Sequence, residues 1–111
     1  MFTTLTLNPA IDITVTVKGP LRLNSIQKVV EETKLPGGKG INVAKIIAAN
    51  GGKVIAGGLI GKGEEKWFQS ELEKTGIICD FMEIDDSTRT NIMITDGIGQ
   101  EIKLNKSGYP N

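Results

Sequence analysis

Pro36-Gly37-Gly38-Lys39-Gly40-Ile41-Asn42-Val43-Ala44 constrains the fold of this chain more than any other stretch. Three glycines and a lysine run straight into an apolar helical pattern that lasts to about Asn50. Glycine lets backbone turn through positive φ and lets a ligand approach the main chain. The helix start exposes unpaired N–H groups and the positive end of a dipole, a seat for a hydroxylated or anionic small molecule. Gly51-Gly52 ends the helix, and Val54 to Ile60 follows as an apolar strand. Glu64 to Lys74 is a second helix, with Trp67, Phe68 and Leu72 on one side, and Ile77 to Ile84 is a further strand. Alternating strands and helices imply a parallel sheet with right-handed crossovers. Within it, the first helix is apolar nearly all round, which predicts burial between layers.

A second kind of strand does not suit that buried interior. Phe2 to Leu7 is β-rich and stops at the turn signal Asn8-Pro9. Ile11 to Val17 then alternates strictly. Ile11, Ile13, Val15 and Val17 lie on one face, and Asp12, Thr14 and Thr16 on the other. Such a strand covers a core on one side and meets water or ligand on the other. Ser25 to Lys34 fits a helix or a strand, and an extended segment leading to the glycines is the preferred reading. Arg89 to Thr95 and Gln100 to Asn105 flank the hairpin signal Asp96-Gly97, extended by Ile98-Gly99. The polar-faced strands Ile11–Val17, Arg89–Thr95 and Gln100–Asn105 predict a separate small antiparallel sheet.

Length and charge narrow the function. A chain of 111 residues is the size of one domain. Lys plus Arg and Asp plus Glu both number 13, which argues against a nucleic-acid or acidic-membrane surface. The single cysteine, Cys79, excludes an internal disulfide and a cysteine zinc site, and reads as a small buried apolar residue. No signal-peptide pattern and no run near ~18 apolar residues is visible, so a soluble cytoplasmic protein is expected.

The glycines fail both nucleotide fingerprints. A Walker loop ending at Lys39 needs glycine where Thr33 stands and Ser or Thr where Gly40 stands; at Lys62 the same positions hold Ala56 and Gly63. The dinucleotide pattern meets Val43 when started at Gly38, and Lys66 when started at Gly61. A dinucleotide-binding oxidoreductase is therefore disfavoured. Glycines that serve only a tight turn remain an alternative from local features.

Thr6-Leu7-Asn8-Pro9-Ala10-Ile11-Asp12, the glycine-lysine stretch and Thr88-Arg89-Thr90-Asn91-Ile92 stand in the order and spacing of one known family. The chain resembles the ribokinase-like (PfkB) sugar kinases over its whole length, with the 1-phosphofructokinase and tagatose-6-phosphate kinase branch as the best match. The resemblance implies a partial ribokinase-like three-layer α/β/α core at about 2-7 and 40-84. It implies a small antiparallel β-sheet lid with strands at about 11-18, 26-35, 89-95 and 100-105. Residues 1-111 would then be the N-terminal part of the kinase domain.

By the same resemblance, Asp12 and Asn42 would bind sugar hydroxyls, and Gly37 and Gly38 would let the sugar approach backbone. Arg89 would bind the phosphate already on the sugar, where a planar guanidinium makes charge-assisted pairs. Lys39 and Lys103 are further phosphate candidates, with a solvated lysine as the other reading of each; Asn91 and Asn105 are read as pairing with strand neighbours. Family members run to roughly three times this length and carry a later Gly-Ala-Gly-Asp turn that supplies the general base and anion hole. No such tetrapeptide occurs here, so no catalytic residue and no metal ligand is expected. The expectation is a sugar-phosphate-binding portion of an enzyme that uses ATP and Mg2+ on fructose 1-phosphate, inactive alone. The alternatives are a tagatose-6-phosphate kinase fragment and a non-catalytic binding or dimerisation module. A homodimer through the lid is implied as well.

Overall fold

A computed structural model describes residues 1–106 of the chain. Strands β1 (Phe2–Thr6), β4 (Val54–Gly61) and β5 (Ile78–Ile84) form a parallel sheet in the order β1-β4-β5. Helices α1 (Lys39–Ala49) and α2 (Glu65–Glu73) supply the crossovers. Alternate residues of a strand point to one side, and Val54, Ala56 and Ile60 of β4 turn towards the helices. There they meet Ile41 and Ala44 of α1, Phe68 and Leu72 of α2, and Ile77, all buried. Phe68 sits edge-on between Trp67 and Phe81, with ring centroids 5.1 and 6.0 Å away.

The helices cover one sheet face only. Val43 and Ile46 on the outer side of α1 are 49% and 64% exposed, which corrects the expectation of a helix buried between layers. An apolar helix is buried all round only where a second layer packs on it, and among the described residues none does. The far face of the sheet is uncovered too: Leu5, Leu7 and Met82 are exposed and line an open groove of about 510 Å3 with Ile55 and Leu59.

Strands β3 (Val29–Gly37), β2 (Ala10–Val17), β6 (Arg89–Thr95) and β7 (Glu101–Lys106) form the second sheet, in that order. Its outer pairs β2·β3 and β6·β7 are antiparallel, but the central pair β2·β6 is parallel. The lid expected to be antiparallel is thus mixed. β2 and β6 each follow a strand of the parallel sheet, β1 and β5, so both enter the lid in the same direction. A parallel pair needs a long crossover, which the whole stretch from β3 to β5 provides. β3 begins at Val29 rather than near residue 26 because Gln27 is taken up by a turn. Its side chain donates to the Pro20 carbonyl and accepts from the Arg22 N–H.

The β6–β7 hairpin closes on Asp96. Its carboxylate accepts N–H bonds from Ile98, Gln100 and Leu21 at 2.9 to 3.2 Å. The Ile98 amide above all holds this carboxyl below its ordinary range.

The chain crosses between the two sheets three times among the described residues: β1 to β2 at Leu7-Asn8-Pro9, β3 to α1 at Gly38, and β5 to β6 at Asp85 to Thr88. The third crossing is bolted to the core, since Thr88 Oγ1 accepts from the Gly61 N–H at 2.9 Å and the Thr88 N–H donates to Glu64 Oε1 at 3.1 Å.

Candidate functional site

Strand register decides which side chains can meet one ligand. Ala10 of β2 pairs with Gly37 of β3 and with Arg89 of β6. Two residues on, Asp12 pairs with Leu35 and Asn91, and Asn91 pairs in turn with Asn105. Two further along, Met93 pairs with Lys103. Paired residues share a face and the face alternates at every step. Arg89, Asp12, Asn91, Asn105 and Lys103 therefore stand on one face, and Ile13, Ile92, Ile94, Ile102 and Leu104 on the other.

Asp12 lies at the centre of the polar face, half-buried. Its Oδ1 accepts from Asn91 Nδ2 at 3.0 Å, so Asn91 does pair with a strand neighbour and thereby orients the carboxylate. The other oxygen, Oδ2, occupies the space that a Cβ on Gly37 would fill. Gly37 is thus needed first by Asp12. Any side chain there would displace the carboxylate.

Gly38 serves the backbone. It is the residue before α1, with φ 118° and no side-chain cap on the helix. A Cβ at Gly38 would also lie 2.9 Å from Thr6 Cγ2 and 3.2 Å from Pro9 Cα. The uncapped start leaves the first N–H groups of α1 open to a ligand's oxygens. Asn42 is exposed on this first turn, and its own N–H closes the turn on the Gly38 carbonyl at 2.8 Å. Lys39 is exposed at the same end.

The cations divide between two clefts. Arg89 and Lys39 line a cleft of about 420 Å3 with Thr6, Asn8 and Gly40. Asp12, Asn91, Lys103 and Asn105 line a second, of about 250 Å3. The half-buried Arg89 gives Nε to the Asn8 carbonyl at 3.1 Å, which ties the first crossing to the third. Guanidinium has further donors in a fixed fork, and no acidic side chain among the described residues pairs with them. Lys103 is exposed beside Glu101 at 3.6 Å, a pair that contributes little in water.

Two further residues stand at the site, Thr6 from the first motif stretch and Lys45 from just beyond the glycine-lysine stretch. Thr6 is buried under the glycines with its hydroxyl unpartnered. Lys45 of α1 donates from Nζ to the Pro36 carbonyl. Burial pushes its ammonium below the usual lysine range, partly offset by the Asp12 carboxylate. The three-residue spacing from Asn42 to Lys45 was the available sequence signal, since such pairs share a helix face. Among the described residues no group of three or more His, Cys, Asp or Glu side chains is placed to hold a metal ion, and no helix is long and apolar enough to cross a membrane.

An arginine with no acidic partner among the described residues beside an open helix start, and a carboxylate in the second cleft, suit a polyol that carries an anion. The profile of the pfkB family carbohydrate kinases matches residues 5–108, and the chain belongs to that family. It is 37% identical over 108 residues to the 1-phosphofructokinase of Haloferax volcanii, a match covering 97% of this chain and 35% of that protein. Its fold matches a candidate phosphofructokinase from Staphylococcus aureus with TM-score 0.85 and 29% identity, over 100% of this chain and 35% of that one. It also matches phosphofructokinase-2 from Escherichia coli in complex with fructose-6-phosphate, with TM-score 0.82 and 26% identity, over 100% of this chain and 37% of that one. This chain thus spans little more than a third of the length of these relatives.

Proposed function

We propose that this chain is the sugar-phosphate-binding portion of an ATP-dependent 1-phosphofructokinase, which converts fructose 1-phosphate and ATP to fructose 1,6-bisphosphate and ADP. Asp12 accepts hydrogen bonds from sugar hydroxyls, and Asn42 and the first amides of α1 hold further oxygens. Arg89, supported by Lys39, takes the phosphate of the substrate. Lys103 guards the far end of the same face as a second cation. The observation that carries this reading is the register that stations Arg89 and Asp12 two residues apart on one face, with no acidic partner for the guanidinium among the described residues.

Phosphoryl transfer needs a base, a metal and groups that stabilise the γ-phosphate. We assign ATP and Mg2+ to the full-length enzyme. The residues of this chain bind and orient the acceptor, so alone it turns nothing over. Fructose 1-phosphate is preferred over tagatose 6-phosphate because the Haloferax volcanii relative is a 1-phosphofructokinase. The lid's apolar face, with Ile102 and Leu104 42% and 49% exposed, supports a homodimer of lids in the cytoplasmic enzyme. In line with oligomers in this family, E. coli phosphofructokinase-2 has a tetrameric inhibited form.

Calorimetry with fructose 1-phosphate tests the reading. Arg89→Ala should weaken binding by at least about tenfold, the scale of a lost charge-assisted hydrogen bond, without a comparable fall in melting temperature. Unchanged affinity in that variant, or ATP-dependent turnover by the 111-residue chain, would refute it.

A further inference from the structure

Lys45 stands apart from the other lysines of the chain. The other ten are exposed, whereas Lys45 is half-buried. Lysine ordinarily keeps its ammonium in water and buries only its stem. Here the partly buried head donates to the Pro36 carbonyl. Methionine or leucine would fill such a place without desolvating a charge, so packing alone does not account for a lysine.

Its surroundings supply an account. Helix side chains lean towards the N-terminus, so Lys45 reaches back from the second turn of α1 to the last residues of β3. Pro36 pairs with Ile11, and Gly37 follows with the Asp12 carboxylate lying where its Cβ would be. The joint between lid and helix is the dipeptide Gly37-Gly38, the most pliable backbone available, preceded by a proline that has no N–H to give. The Lys45 ammonium is also within electrostatic reach of Asp12. Helical spacing sets Lys45 beside Asn42, the other proposed hydroxyl ligand.

We propose that Lys45 is a positioning residue of the sugar site: by holding the Pro36 carbonyl it fixes the joint between lid and helix, and with it the carboxylate of Asp12. The sugar itself need not touch Lys45. The proposal rests on the reading of Asp12 as a sugar ligand, and the two are tested separately.

Two variants of the whole chain carry the test. Lys45→Met keeps length without donors, and Lys45→Arg keeps cation and donors. Hydrogen exchange without ligand should be about tenfold faster in K45M for amides from Gly37 to Asn42, near-native in K45R, and unchanged in β4 and α2. Calorimetry with fructose 1-phosphate should give about tenfold weaker binding in K45M and recovery in K45R. In an Asp12→Asn background the K45M effect should shrink below about twofold, the signature of residues acting through one another. Native-like exchange at the joint in K45M overturns the proposal whether or not sugar binds. So does an affinity loss that persists undiminished beside D12N. If the wild-type chain binds no fructose 1-phosphate, the reading of Asp12 fails, and the exchange comparison still decides whether Lys45 holds the joint. Should K45M not fold, Lys45→Leu, which also lacks any donor, carries the same comparison.

Discussion

The parallel sheet and the lid sheet draw on similar β-branched and apolar residues and use them to different ends. In the parallel sheet, Val54, Ala56 and Ile60 are withdrawn from water beneath two helices. In the lid, every residue of β6 is half-buried and every described residue of β7 is exposed. Burial of apolar area is the main stabilising term in folding, so the core sheet carries the stability. The lid keeps its polar face open, and the proposed ligand residues Asp12 and Arg89 stand on that face. The proposed site falls where the chain passes from one sheet to the other, because only there can a rigid helix start and an accessible strand face meet.

The sharpest way to break this comparison is to damage each side and read both stability and binding. Phe68→Ala should cost about 3–5 kcal/mol through loss of burial and the cavity left behind, measured by urea unfolding. A lid substitution of similar cost would show that the division is wrong. Arg89→Ala, the binding variant described above, comes next and should cost unfolding only about 1 kcal/mol, the scale of the lost bond to the Asn8 carbonyl. Gly37→Ala sits between the two, since its Cβ would collide with the Asp12 carboxylate. Overpacking of this kind costs about 1–3 kcal/mol, and here affinity for the sugar phosphate should fall with it. Asn91→Ala, which removes only the hydrogen bond to Asp12, should weaken binding about fivefold, since the carboxylate remains and loses one orienting partner.

The smallest effects are in pH dependence, and they separate the sheets again. Burial, aided by Glu73, pushes the Cys79 thiol of β5 from its ordinary 9.0 up to about 11. The folded chain then holds a proton that the unfolded chain releases, so stability should fall as pH rises from about 9 towards 11. Cys79→Ala should flatten that limb of the melting profile. Asp96 in the lid has the opposite sign. Backbone amides lower its pKa, so the stability it lends is complete above the ordinary 3.8 and is lost as pH falls below it. Asp96→Asn should flatten the acid limb and leave the alkaline one alone.

Much of this was legible in the residues. The strict alternation from Ile11 to Val17 set two unlike faces on β2, and the unbroken apolar run from Val54 to Ile60 marked a buried strand, because periodicity is a local property. The Asp96-Gly97 signal marked the hairpin for the same reason. The motif residues Asp12, Arg89, Gly37 and Gly38 were all named from sequence, and the structure gathers them about the crossings between the sheets. The start of β3 was less legible, because Gln27 is claimed by bonds to Pro20 and Arg22 that no periodicity records.

What the sequence determined by itself was the kind of each element and the list of residues able to do chemistry, since both follow from side-chain type and spacing along one chain. Tertiary structure alone decided three further things. It made the central lid pair parallel, because β2 and β6 leave parallel strands of the core in the same direction. It left α1 exposed on one side, because burial depends on what packs there and not on the helix's own pattern. And it drew Lys45 to the joint beneath Asp12, 33 positions away in the chain, since desolvation and hydrogen-bond reach are properties of distance in space.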